Sequence, residues 1–495
     1  MVCNSVIQAV KSILNRSFAC DLRSLALFRI ALAAVTIAHI AVALPYLTDF
    51  FTDTGVWPSS LAKSYNSYGF SFHTLGNTVE FQTALAVVFI FSCLCMMVGY
   101  KTRFFTFVCW VFLVSLQTRN WSILQAGDRL HVMLMFWAIF LPLGARFSVD
   151  AAFHKTKQLT NHIVNVSTIA VMLQAISVYF FTALAKDGIQ WSDGTAVYYA
   201  LMGDFALPTA QELLPYTDFM SFLSYSVWYF EIGLVLLLLS PVLQTYTRLA
   251  TMAGLVVMHL SFGHFLHIGL FPYDSMTSLI PFLPAAVWNW LGKKRSLAAV
   301  TSSGEWVTKY FGWLPWPLKP SKPTLRLYKA VQLFLWVMIA HMLFNNVTEV
   351  SDVSYPKAMK DMRNQLRIGQ AWFMFAPQAG GVNDWLEVVG ELEDGTKVDA
   401  RRMKLEPPTM DKPVNIALDA GDNRWLKYYQ YVPKSKRTRV QLAKYLCRKW
   451  DEAFPDKPLQ RVKIYHITQY TVAPGNPYEA VRQKKRMLRG YACGD

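Results

Sequence analysis

A chain of 495 residues that is 53% apolar and 15% aromatic, with only 16% charged residues, is too apolar for a string of ordinary soluble domains and fits a multi-spanning membrane protein. Its formal charge of +16 falls in blocks between apolar stretches, a pattern of membrane topology and not of a nucleic-acid-binding surface. The seven cysteines include no CxxC pair.

Residues 1–20 carry Lys11 and Arg16 but no apolar core followed by a small-residue cleavage site, which predicts a first span kept as an anchor. Apolar stretches, each able to cross about 30 Å of hydrocarbon, predict nine spans near 24–47, 82–98, 104–118, 129–144, 163–185, 218–240, 248–266, 274–291 and 326–345. Arg29, early in the first span, is expected to snorkel to the near membrane face. Cys93, Cys95 and Cys109 read as small packing residues.

Lys11, Arg16 and Arg23 precede the first span, Lys101 and Arg103 follow the second, and Arg146, Lys155 and Lys157 follow the fourth. Arg248, and the run Lys293, Lys294, Arg295, Lys309, Lys319 and Lys322, obey the same alternation, which predicts a cytoplasmic N-terminus. Nine crossings then put everything after residue 345 outside. The chain divides into a transmembrane domain, 1–345, and an extracytoplasmic domain, 346–495.

In that second domain "WLEVVGELEDGTKVDARRMKL" alternates about Asp394-Gly395 and predicts a hairpin with a type I′-like turn, while "VKIYHITQYTV" predicts a further strand. "RVQLAKYLCRKWDEAF" has helical spacing, and "RQKKRM" reads as a solvated or headgroup-facing basic surface. The fold class is a membrane all-α bundle with a small C-terminal α+β domain. In an oxidising compartment Cys447 and Cys493 are the pair placed to bridge. Trp57, Trp121, Trp191 and Trp372 are expected in an aromatic belt or in domain packing.

"FTALAKDGIQW" sets Lys186 directly after an apolar run. It reads either as a snorkelling anchor or as a desolvated amine able to act as a general base. Asp128, Arg129, His131, His264 and His267 fall at the same predicted outer level, and Glu231 and His259 lie deep in their spans. Ionisable groups at membrane depth are costly unless paired, so Glu231 and His259 are expected to approach each other or share a cavity. Lys186 is expected to line an outer cavity with some of His131, Trp191, His264 and His267. No HExxH spacing points to a metal, and none is expected.

"YFFTALAKDGIQW" and "HLSFGHFLHIGLFPY" resemble segments of the vitamin K-dependent gamma-glutamyl carboxylases. A broader group, the horizontally transferred transmembrane domain proteins of bacteria, is similar through "FTDTGVWP", "GDRLHVMLMFWAIFLPLGARFSVDA", "DGTAVYYAL" and "WFMFAP", which cover most of residues 20–400. The resemblance implies an enzyme of the bacterial cytoplasmic membrane that oxidises reduced vitamin K or another lipophilic quinol with oxygen. It would add carbon dioxide to a glutamate of an exported peptide or protein. Lys186 and His259 would be catalytic, and His131, Trp191, Glu231, His264, His267 and Phe271 would bind the cofactor. The alternative is a non-catalytic membrane factor that binds lipid, quinone or a partner and assists maturation or export of a secreted product. The lipid bilayer is the expected partner; nucleic acid is not.

Overall fold

The computed structural model describes residues 8, 12–65, 69–153, 161–292, 325–475 and 482–494. Ten helices of the membrane part concern the site: α1 Leu22–Ala41, α2 Val79–Val98, α3 Thr102–Arg119, α4 Ala126–Ala138, α5 Val166–Leu184, α6 Thr217–Leu239, α7 Gln244–Phe265, α8 Phe271–Leu279, α9 Ala285–Gly292 and α10 Leu325–Glu349. Local chemistry sets their ends. The Asp21 carboxylate caps α1 by accepting from the Arg23 N–H at 2.8 Å, Asn165 and Thr168 form a reciprocal capping box on α5, and Gly99 ends α2 at φ +74°.

All nine expected spans fall on helix, yet among the described residues five segments are both long and apolar enough to cross a membrane: Leu22–Phe51, Val79–Val98, Val166–Leu184, Thr217–Leu239 and Leu325–Glu349. α4 is only 13 residues long, and the expected eighth span is broken into α8 and α9, with Pro281 in the 3₁₀ turn between them. α5 is the centre of the bundle: 78% of its apolar window is buried, against 22–44% in the other four.

Arg29 does not snorkel. It is fully buried, and its guanidinium donates to the carbonyls of Leu143 at 2.7 Å and Phe147 at 2.5 Å, tying α1 to the turn after α4. Arg248 likewise donates to the Ser17 carbonyl at 2.5 Å, and Arg23 to Asn289 at 3.1 Å. Arg23, Arg146 and Arg248 thus gather at one end of the bundle. Lys11, Lys155, Lys157 and the basic run from Lys293 to Lys322 lie outside the described residues.

At the opposite end sits an antiparallel sheet of β1 Val382–Leu392, β2 Lys397–Asp399, β3 Leu459–Tyr470 and β4 Gln483–Ala492, in the order β2-β1-β3-β4. Trp385 pairs with Ile467 and Gly390 with Val462. Of the residues in the β1–β2 turn only Gly395 has positive φ, +82°, so the turn is not type I′, which needs two such residues. The basic segment read as mere surface forms edge strand β4, whose exposed lysines protect an open sheet edge.

Helices α11 Asn423–Tyr431 and α12 Lys436–Ala453 cover one sheet face, and Cys447 of α12 is disulfide-bonded to Cys493 just beyond β4. Their core is shared with the first loop of the membrane part: Phe50, Phe51 and Trp57 pack with Val388, Tyr428, Trp450 and Ile464. Trp57 and Trp372 are therefore packing residues, at 0% and 2% exposure. In the reverse direction Ile368 and Trp372 join the helical core, and Gln370 exchanges two hydrogen bonds with Gln174 of α5, at 2.8 and 2.9 Å.

Candidate functional site

α5 stops two residues before Lys186 because the chain must turn beneath the segment 375–380. The Gly188 N–H donates to the Pro377 carbonyl at 3.1 Å, and a Cβ on Gly188 would lie 2.4 Å from that oxygen, so only glycine permits the approach. Gln190 receives the Ala379 N–H at 2.7 Å and donates to the Gly380 carbonyl at 2.9 Å, while the Trp191 indole N–H donates to the Phe375 carbonyl at 2.9 Å. These bonds hold the indole face over Lys186, whose Nζ stands 4.2 Å from the ring centroid. The ammonium is 3% exposed and donates to Glu231 Oε2 of α6 at 2.5 Å. A snorkelling lysine would reach outward; this one is closed in.

Two helical turns earlier on α5, the Tyr179 hydroxyl is 2.8 Å from His259 Nε2 of α7. The imidazole is fully buried, its ring 5.6 Å from Phe271 and 5.9 Å from Phe262, and its Nδ1 has no hydrogen-bond partner. Glu231 and His259 therefore do not pair: each takes its partner from α5, Lys186 for one and Tyr179 for the other.

His131 belongs to a different cluster. Its Nδ1 is 2.7 Å from Asp274 Oδ1, and its Nε2 is 2.7 Å from the Thr36 hydroxyl. The second oxygen of Asp274 is 3.0 Å from His39 Nε2, and His39 Nδ1 faces Asp128 at 3.6 Å. Asp274 is wholly buried in the first turn of α8 and abuts the start of α4, where a Cβ on Gly127 would fall 2.7 Å from its Oδ2. Two helix N-termini thus help to stabilise the carboxylate. His39, Asp128 and His131 border a cavity of about 300 Å³, whose lining includes His267, Phe271, Asn423 and Arg424. Asn423 donates to the His267 carbonyl, and Arg424 donates to the carbonyls of Val42 at 3.1 Å and His39 at 3.3 Å, so the start of α11 roofs the cavity.

The eight expected site residues are divided accordingly. Lys186, Trp191 and Glu231 form one contact group, with His259 and Phe271 a step deeper. His131 and His267 line the cavity beneath Asn423 and Arg424, and Phe271 borders both groups. His264 joins neither: it is exposed, with its ring on Phe265 and its carbonyl accepting from Thr209. Sequence reasoning missed Tyr179, His39 and Asp274. Tyr179 carries no signal in an apolar run, but the rule that singles out Glu231 applies equally to His39 and Asp274.

No curated protein and no solved structure matches the chain. The model of the HTTM domain family matches residues 19–288, more than half of the chain and a stretch that holds both clusters. This is consistent with the vitamin K-dependent carboxylase-like superfamily, and the chain, an integral membrane protein, belongs to the HTTM domain family.

Proposed function

We propose that the protein is a membrane-embedded carboxylase-like enzyme that takes a proton from a lipophilic quinol at Lys186. It couples quinol oxidation to carboxylation of a glutamate in an exported peptide or protein. The observation that carries this reading is the Lys186–Glu231 pair, 2.5 Å long, buried and covered by Trp191. With the shared proton on Glu231, the Lys186 amine has a free lone pair and the pair stays neutral, so a proton can be accepted in a dry site without first isolating a charge. An arginine could not do this, because it does not give up its proton in a protein.

The surroundings fit a quinol such as reduced vitamin K. His259 Nδ1 is a buried polar atom without a partner, on a ring in edge contact with Phe271 and Phe262, and it suits a quinol oxygen. Bound there, the quinol would supply the reducing equivalents. Quinol and oxygen would yield quinone epoxide and water, while a glutamate γ C–H bond breaks, its proton ends in that water, and a C–C bond to carbon dioxide forms. The segment 375–380 would keep water from the reacting atoms.

In the same reading the chain crosses the membrane nine times with its N-terminus cytoplasmic. The gathering of Arg23, Arg146 and Arg248 at the end remote from the sheet domain supports this, as does the Cys447–Cys493 disulfide, which suits an oxidising compartment. A non-catalytic lipid- or quinone-binding factor is the second reading. It is favoured by Lys186 being fully engaged already, by a carboxylate and a ring.

Quinol epoxidation by membranes containing the wild type or Lys186→Arg at matched expression separates the two. The enzyme reading expects turnover to drop by about 10²-fold or more. An Arg variant as active as the wild type would end it.

A further inference from the structure

The His39–His131–Asp274 cluster is unused by the chemistry at Lys186. We propose that these three residues bind one divalent transition-metal ion of the zinc class, with a fourth coordination position facing the cavity beneath Asn423 and Arg424. The proposal stands whether or not Lys186 is a base.

The Thr36 hydroxyl is 2.7 Å from the Leu32 carbonyl, which can only accept, and 2.7 Å from His131 Nε2. A hydroxyl has one proton. Spent on Leu32, it leaves the Thr36 oxygen as the acceptor, so His131 Nε2 carries the ring N–H. In the neutral ring, Nδ1 then presents a lone pair to Asp274 Oδ1 at 2.7 Å. A lone pair and a carboxylate oxygen repel at that distance unless a cation lies with them. His39 Nε2 adds a second imidazole to the same carboxylate at 3.0 Å, and ligand atoms of all three residues lie within 4.8 Å of one another.

Two imidazoles and a carboxylate are a zinc donor set, and three protein ligands with one open position are the arrangement of sites that bind an exchangeable ligand. The supports match as well. Metal-binding histidines hand their other N–H to a polar group that fixes the ring: Thr36 does this for His131, and Asp128 stands 3.6 Å from Nδ1 of His39. The three ligands sit on α1, α4 and α8, so the ion would fasten the bundle on the side facing the cavity. A water or the carboxylate of a cavity ligand suits the fourth position. The other cation able to occupy the cluster is a proton, which would make one ring an imidazolium.

The test uses full-length protein in detergent, stripped with a chelator and titrated with cobalt(II), then with zinc(II). About one equivalent of cobalt with a tetrahedral visible spectrum, displaced by zinc, is expected of the wild type and of Lys186→Ala. His131→Gln and Asp274→Asn should lose it, and Asp128→Asn should bind about 10–100-fold more weakly. His39→Cys keeps the test alive should those variants not fold: a sulfur-to-cobalt band is expected in the near ultraviolet. No cobalt on the wild type would assign the cluster to a proton and overturn the proposal. So would full binding by a folded His131→Gln, or cobalt bound to His39→Cys without the sulfur band.

Discussion

The two buried clusters satisfy the same requirement by opposite means. At Lys186 one cation meets one carboxylate, an indole covers them, and the chain between Phe375 and Gly380 closes the site. At Asp274 one carboxylate faces two imidazoles, and the group borders an open cavity. The first arrangement balances its charge within the chain. The second calls for an added cation. Burial alone does not tell them apart; the count of donors against acceptors does.

The largest effect that sharpens this contrast is expected at Glu231. Glu231→Leu leaves the Lys186 ammonium buried without a counter-charge, which costs about 3–5 kcal/mol. Replacing both partners, Lys186→Met with Glu231→Leu, removes the stranded charge and should recover most of that loss. Thermal unfolding of the single and double variants in detergent measures the coupling. A double variant as unstable as Glu231→Leu would show that the pair is not self-contained.

Gly127 tests the other cluster. Its missing side chain lets the start of α4 touch Asp274, and the Cβ of Gly127→Ala would sit 2.7 Å from Oδ2 and 3.0 Å from the Phe271 Cα. Neither the helix start nor the carboxylate can give way easily, so a loss of about 1–3 kcal/mol is expected. The same change should leave Lys186 undisturbed, which the accessibility of Lys186 to an amine reagent reports. Equal disturbance of both clusters would mean that they are one mechanical unit.

How much of this was legible follows the range of each interaction. The helices were, because apolar runs and capping residues such as Asn165 act over a few positions, and the β3 strand and α12 were legible for the same reason. The span count was less so: length and hydropathy mark Val166–Leu184, whereas α4, 13 residues long, is too short for length and composition alone to mark it as a crossing. In the site, the Lys186–Trp191 contact was readable as a spacing, since both residues lie on one turn of chain. The partners were not: Glu231 is 45 positions from Lys186 and Asp274 is 143 from His131, and only packing decides which polar groups meet. Arg29 was misread for a related reason, since a snorkelling arginine and one that caps a turn have the same local sequence.

The smallest expected effect lies where Asp204 joins the membrane part to β1 of the C-terminal sheet. Asp204 is buried at 9% exposure; its Oδ1 accepts the Asp384 N–H at 3.1 Å, and the Asp384 carboxylate in turn binds His466 at 2.9 Å. Burial, and then the facing Asp384 carboxyl, push Asp204 well above the usual carboxylate range, whereas His466 brings Asp384 below it against the effect of burial. Asp204 is thus the harder of the two carboxyls to ionise. A raised acid contributes stability that is fully present below its unfolded value and lost as pH rises through its folded one. Melting temperature should therefore fall more steeply for the wild type than for Asp204→Asn as pH is raised from about 4 toward 7. Staying below 7 avoids the neighbouring Lys427, which burial lowers to about 8 and which acts in the opposite direction. Asparagine keeps a neutral acceptor in place and removes only the titration, so parallel profiles would mean that Asp204 is ionised throughout and that the interface tolerates both charges.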